Sequence, residues 1–330
     1  MLGRSAGSSG RTDAQIRGER VVSRATLVGT RRLACHHDGM MTGGVFIWWM
    51  LLCALSALNI IVWTLSARSL QRRSEALPAR EYSLSKALLY LSALYVLGCA
   101  YRSVFPVFDV PRIVLVNSFL SSVAVGRSVA TIAELAFVAQ WALLLRESAR
   151  TTGSLVGKIT AQALVPLIAI AECCSWYSAL TTSNLGHTAE ESIWALAAAA
   201  LAASLFVMWQ RCLPKQRTVL AACCFAAGAY VCYMVFVDVP VYAARWVAEG
   251  VSGRHYLTLA EGLKDVTTRW TVSYRWQDWR SEVVWMGLYF SVCVWISILL
   301  VHAPSSGSCT DTSERRLPRR QDFLLPAARS

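Results

Sequence analysis

Four side chains of this 330-residue chain combine charge with an apolar setting: Arg127, Glu134, Glu172 and Asp238. A charge at membrane depth costs several kcal/mol, so each is a candidate for function. Arg127 and Glu134 are seven residues apart, which places them on one helix face with Thr131 between them. Glu172 belongs to the next apolar run. Counted inward from Gly126 and from Leu180, Glu134 and Glu172 each lie eight residues deep, about 12 Å at 1.5 Å per residue. The two runs are joined by a short link and are therefore antiparallel neighbours, so both carboxylates can share a pocket beneath Arg127. Asp238, just before Pro240, can close the same cluster. Two carboxylates at one depth disfavour each other's ionisation, and such a pair suits a proton, a metal ion or an amine. The plainer alternative is that Arg127 pairs with one acid and pins two helices together. Gln140, Gln162 and Asn59 are neutral and read as interhelical glue.

A second group follows Glu172. His187, Glu190 and Glu191 offer nitrogen and oxygen ligands at helical spacing, a weak metal site facing Glu172. The competing reading is a T-x-x-E capping box from Thr188 and Glu191 at the start of a helix. Ser183 and His187 have an S-x-x-x-H spacing similar to that of seven-span hydrolases of the alkaline ceramidase and adiponectin-receptor kind. That resemblance implies zinc held by histidines and an aspartate, and covers two residues. The H-x-x-x-H expected in the last span is missing, since His302 stands alone there. Of the eleven Cys, eight lie in apolar runs and none forms a C-x-x-C pair. Vicinal Cys173-Cys174 and Cys223-Cys224 point about 100° apart on a helix, which makes a soft-metal site a remote alternative.

The elements that carry these residues follow from composition. Apolar residues make up 55% and charged residues 16%, with a net charge of +12, and the apolar residues form uninterrupted runs. A soluble domain carries about 25% charge. A run of about 20 apolar residues crosses a bilayer as a helix. Seven such runs predict an all-α polytopic membrane bundle with spans at about 44–66, 84–101, 126–145, 159–180, 192–209, 218–240 and 283–301. Links one, three and five carry ten Lys or Arg, whereas links two and four carry only Arg102 and Arg112. The positive-inside rule then puts the C-terminus inside and, with seven spans, the N-terminus outside. Residues 1–43 hold seven Arg against three acids, which reads as a transit peptide, an uncleaved tail or a start codon placed upstream of Met40 or Met41. A transit peptide would point to an organelle membrane. Residues 303–330 read as a disordered basic tail.

Two links have character of their own. Link two, 101–112, combines Pro106, Pro111, Phe105, Phe108 and Asp109, with Asp109 placed to pair with Arg102 or Arg112. Link six, 242–282, places Trp270, Trp276 and Trp279 among Arg269, Arg275 and Arg280, as in an interfacial lid with rings toward lipid. Thr258 and Glu261 have capping-box spacing within it.

The function that best fits these residues is small-solute or ion transport or binding at an outward-opening charged cluster. An accessory or scaffolding subunit of a membrane complex, a receptor and a lipid-modifying membrane enzyme are the alternatives. No Gly-rich phosphate loop and no H-E-x-x-H occurs, so an ATPase or zincin has no footing. No cofactor is specified. The partners read from the sequence are the lipid bilayer and a small solute or ion; the basic tails and links suit anionic lipid headgroups rather than nucleic acid.

Overall fold

The computed structural model describes residues 13–209 and 214–303; side chains of 13–42, 214–216 and 219 are not described. Residues 1–12 of the basic leader, Arg211 of link five and residues 304–330 of the tail lie outside the described residues. Helix α1 (Asp13–Arg72) carries the remaining leader residues as a continuous backbone helix into its apolar part. It is followed by α2 (Ala79–Val104), strands β1 (Val107–Phe108) and β2 (Ile113–Val114), α3 (Val123–Thr152), α4 (Leu155–Thr181) and α5 (Asn184–Trp209). The remainder is α6 (Pro214–Tyr233), α7 (Val239–Val251), α8 (Leu259–Thr268), β3 (Thr271–Val272), α9 (Trp276–Trp279), α10 (Val283–Leu288) and α11 (Val294–Leu300). Among the described residues, seven helical segments are long and apolar enough to span a membrane: Gly43–Arg72, Ala79–Val104, Val123–Thr152, Leu155–Thr181, Asn184–Trp209, Leu220–Val251 and Val283–Leu300. The chain is an all-α, multi-pass membrane bundle.

Helix caps explain why spans three, four and five form one tight unit. Ser122 accepts from the Val125 amide to start α3, and Gly153, at φ +67°, ends it in the left-handed region that glycine adopts without strain. Ser154 then caps α4 through the Gly157 amide, so only two residues separate spans three and four. The turn from α4 to α5 is equally short. Helix α5 starts at Asn184, earlier than the 192 expected, because Glu249 from the end of span six accepts from the Asn184 amide and side chain at 3.1 and 2.6 Å. This corrects the capping box read at Thr188 and Glu191: Thr188 lies inside the helix and donates to Asn184 O. Gly186 lets α5 lie against α4, where a Cβ would run into the Cys174 carbonyl and Ser178.

Spans six and seven are built differently. Each is interrupted by a π-helical segment, Met234–Asp238 in span six and Tyr289–Cys293 in span seven. Pro240 has no N–H to give to the carbonyl four residues back, which accounts for the first disturbance. In the second, Asn59 of span one donates to the Phe290 carbonyl at 2.7 Å and accepts from Trp295, so an amide from a neighbouring helix serves the π segment. Gln140 ties span three to spans two and seven through Leu88 O, Ser297 O and the Ser297 hydroxyl. Asn59 and Gln140 are thus interhelical glue; Gln162 is exposed.

Span six continues through Pro240 to Val251, so link six is shorter than 242–282. The rest of it folds onto the bundle end. Thr258 and Glu261 form the capping box of α8, and β3 pairs in parallel with β2, which pairs antiparallel with β1. The expectation that the link's tryptophans turn toward lipid is corrected at Trp279, which is 0% exposed, packs against Trp48 with ring centroids 5.6 Å apart and donates to Ser273 O. Trp276 packs beside it, and Trp270 donates to Asn117, between β2 and α3. These contacts anchor link six to span one and to the segment that leads into α3. The Arg residues stay at the surface, with Arg269 and Arg275 paired to Asp265 and Asp278.

Candidate functional site

Arg127 stands at the centre of the site. Its Nη2 lies 2.9 Å from Glu172 Oε2, 3.2 Å from Glu190 Oε1 and 3.6 Å from Glu134 Oε2, and its Nη1 lies 3.7 Å from Asp109 Oδ2. All five side chains are buried. Four carboxylates therefore face a single guanidinium.

Each acid is held by further groups. Thr131 donates to Glu172 Oε2 at 2.6 Å and accepts from the Trp176 indole. Tyr289 of span seven donates to Glu134 Oε1 at 3.1 Å. His187 Nδ1 meets Glu190 Oε2 at 2.7 Å, and its backbone amide donates to Ser178. Asp109 is set by its neighbour Arg112, which donates to the Asp109 carbonyl, the Ala179 carbonyl and Asp265 Oδ2. Burial lowers the pKa of Arg112 against its bonds to Asp265, while Asp265 is held below the usual carboxylate range because its bonds from Arg269 and Arg112 outweigh burial. Two carboxylate oxygens, Glu172 Oε1 and Asp109 Oδ1, are buried with no hydrogen-bond partner.

The cluster opens on a cavity of about 1040 Å³ that runs along the bundle between spans three and five on one side and spans six and seven on the other. Glu191, Asp238 and Glu282 add carboxylates to its wall, among Tyr230, Tyr233 and Tyr242. Glu282 is paired with Arg245 at 3.4 Å and accepts from Trp285 at 2.7 Å. Glu191 and Asp238 have no ion pair among the described residues. Towards the face that carries links one, three and five, the wall is mainly apolar, with Val138, Leu201, Ala226, Ile296 and Leu299, and ends at Thr218 and His302.

Comparison with family models, with curated proteins and with solved structures finds no match. What the site does has to be read from its own chemistry.

The residues singled out in the sequence are distributed as follows. Arg127, Glu134 and Glu172 come together, with Glu190 as a fourth member. Asp238 lies on the cavity wall instead of in the Arg127 fork, at the end of the π segment of span six, which the elements holding the fork do not include. His187 and Glu190 pair, but Glu191 points along the wall, as adjacent residues on a helix must diverge. Glu134, Glu172 and Glu190 each offer an oxygen within 4.8 Å of the others, a hard-ligand set in which the Arg127 guanidinium already fills the middle. The zinc arrangement of the S-x-x-x-H resemblance is not reproduced: His302 sits at the opposite end of the bundle from His187, bonded to Ser66 and Arg73. Vicinal Cys173 and Cys174 are exposed and half-buried.

Sequence reasoning assigned Asp109 to Arg102 or Arg112, read Arg102 only as a link charge, and missed Tyr289 and Glu282 altogether. Arg102 and Glu282 sit at span ends, where charge is ordinary, so spacing carried no signal. Asp109 lay in a proline-rich link whose path only tertiary pairing fixes.

Proposed function

We propose that the protein binds a small cationic solute, a proton or an amine, in this cavity and carries it across the bilayer. The observation that supports the reading is the charge balance: one guanidinium, Arg127, against four buried carboxylates, with Glu191 and Asp238 unpaired on the adjoining wall. Buried charge of one sign has to be balanced by protons or a cation. Carboxylates interleaved with tyrosine rings suit an ammonium group, which gains from both charge and ring faces. The π segments in spans six and seven support movement, since helices broken at a site are the usual place for one to shift. In this reading the basic face of links one, three and five is inside, so the C-terminus is inside, the N-terminus outside and the cluster opens outward. Residues 1–43 and 303–330 flank the membrane domain of 44–302.

The test uses the protein reconstituted in liposomes holding a pH-sensitive dye, with methylammonium and tetramethylammonium as probes. Wild type should support probe or proton movement, and Glu191→Gln with Asp238→Asn should reduce it at least about tenfold. These two positions are chosen because neither carries an ion pair that folding needs. Unchanged movement in that double variant, or in Glu134→Gln with Glu172→Gln, defeats the reading.

A further inference from the structure

The cavity is larger than a proton or a small amine requires, and its two ends differ in chemistry. At about 1040 Å³ it reaches the upper end of the roughly 300–1,000 Å³ typical of sites for drug-sized ligands. Its charged residues are gathered toward the face of links two, four and six, while the half toward the other face is lined mainly by apolar side chains, with Thr218 and His302 at its far end. Water is poorly held along the apolar stretch between the two ends, which offers it few polar partners.

The cavity is also open to the side. Span six packs on span five, and span seven packs on spans one, two and three, but no extended interface joins span six to span seven. Only 6% of the apolar core of span six is buried, against 28–39% in the other six spans. Leu288, Val292 and Leu299 of span seven line the cavity and are at the same time exposed. A hydrocarbon chain in the bilayer therefore has a route into the cavity that never crosses water.

Arg102 supplies the remaining specificity. It is 4% exposed, lines the cavity and rests over the Trp285 ring at 5.6 Å. It has no carboxylate within ion-pair distance among the described residues, and its Nε has no hydrogen-bond partner. Arg112 and Arg127 are as deeply buried, yet each is tied to acids. A buried guanidinium left unpaired is costly unless an anion meets it, and its planar fork matches a phosphate or carboxylate.

We infer that the ligand is a zwitterionic amphiphile: its anionic group lies on Arg102, its ammonium group on the carboxylates of the charged end, and its hydrocarbon chain along the apolar half, reached between spans six and seven. This rests on the cation-binding role proposed above and names the class of solute.

Binding is measured by thermal shift on the protein in amphipol, with dodecylphosphocholine below its micelle-forming concentration, phosphocholine without a chain, and dodecyltrimethylammonium, which keeps chain and cation but lacks the anion. Dodecylphosphocholine should bind more than about tenfold tighter than phosphocholine, since each buried methylene adds affinity. Arg102→Gln should weaken dodecylphosphocholine about tenfold and leave dodecyltrimethylammonium unchanged, with Arg102→Lys restoring part of the loss. Ala226→Trp, on the span-six wall, should abolish the gain from the chain while phosphocholine still binds. Matching elution and unfolding temperature without ligand establish that the variants are folded. Binding of phosphocholine with no gain from the chain overturns the inference and leaves cation binding standing. No shift with any of the probes overturns the inference, and the liposome assay then decides the cation reading by itself. A chain effect insensitive to Ala226→Trp and Arg102→Gln shows nonspecific partitioning and also overturns it.

Discussion

The two walls of the cavity are built to opposite standards. On the side of spans three, four and five, two-residue turns, paired caps and small-residue contacts draw the helices together around Ile168, Leu164 and Met208. Arg127, Glu134, Glu172 and Glu190 are seated in that wall, with each acid within 3.6 Å of the guanidinium. On the other side, span six is scarcely buried, both spans carry π segments, and Asp238 meets the cavity without an ion pair, as do Glu191 of span five and Arg102 of span two at its edges. The difference teaches where rigidity and function divide. A charge network survives inside a membrane only if its partners are fixed, whereas a binding surface must keep some groups unsatisfied and some helices free to shift.

The largest expected effect breaks the rigid wall. Arg127→Met leaves four buried carboxylates without their cation, and removal of one partner from a buried network costs about 3–5 kcal/mol. Thermal unfolding of the purified variant should show a large fall or no folded protein; a small change would mean that the acids are neutral and the network contributes little.

Next come the glycines that set helix approach. Gly186→Leu forces side-chain atoms into the Cys174 carbonyl and should cost about 1–3 kcal/mol or more. Gly228→Leu, on span six, has nothing within 4 Å of an added Cβ and should change stability by less than about 0.5 kcal/mol. Equal effects at the two sites would erase the contrast between the walls. The same contrast applies to Gly98, whose added Cβ would approach Ala133 Cβ to 2.7 Å between spans two and three.

A smaller effect separates the two arginines that face the cavity. Arg102→Met removes a charge that has no partner, so unfolding should move by less than about 1 kcal/mol or shift toward greater stability, in contrast to Arg127→Met. Destabilisation of both to the same degree would assign Arg102 a structural bond.

The smallest effects are in pH dependence, at the two ends of the bundle. Asp265 is held below its usual 3.8, so its contribution is complete above that pH and is lost as pH falls through the lowered value. His302 is lowered from 6.5 by burial and by Arg73, which donates to its ring, so its contribution is complete above 6.5 and fades as pH falls through its lower folded value. Protease accessibility of link six should follow the first, and amide exchange at the end of span seven the second. Exchange there that does not change below pH 6.5 would remove His302 from the account.

Much of the fold was legible because its signals are local. Apolar run length gives spans from residue type alone, and the i, i+7 relation of Arg127 and Glu134 needs only helical period. The common depth of Glu134 and Glu172 followed from counting along two antiparallel runs. The failures are of another kind. Thr188 and Glu191 matched a capping pattern, but Glu249, some sixty residues away, supplied the cap at Asn184 and moved the helix start. Trp279 carried the composition of an interfacial ring and was buried because Trp48 and Ser273 offered it a closer partner.

The sequence by itself determined that this is a seven-span helical membrane protein with charge buried in spans three and four. The tertiary structure decided which acids reach Arg127, that Asp109 joins them from a link, that Arg102 is left facing the cavity, and that spans six and seven stand apart. Hydropathy and period fix where a helix lies along the chain, but not its rotation about its own axis. That rotation is set by contacts between distant residues, such as Gly98 against Ala133 and Gly186 against Cys174, and it decides which side chains meet.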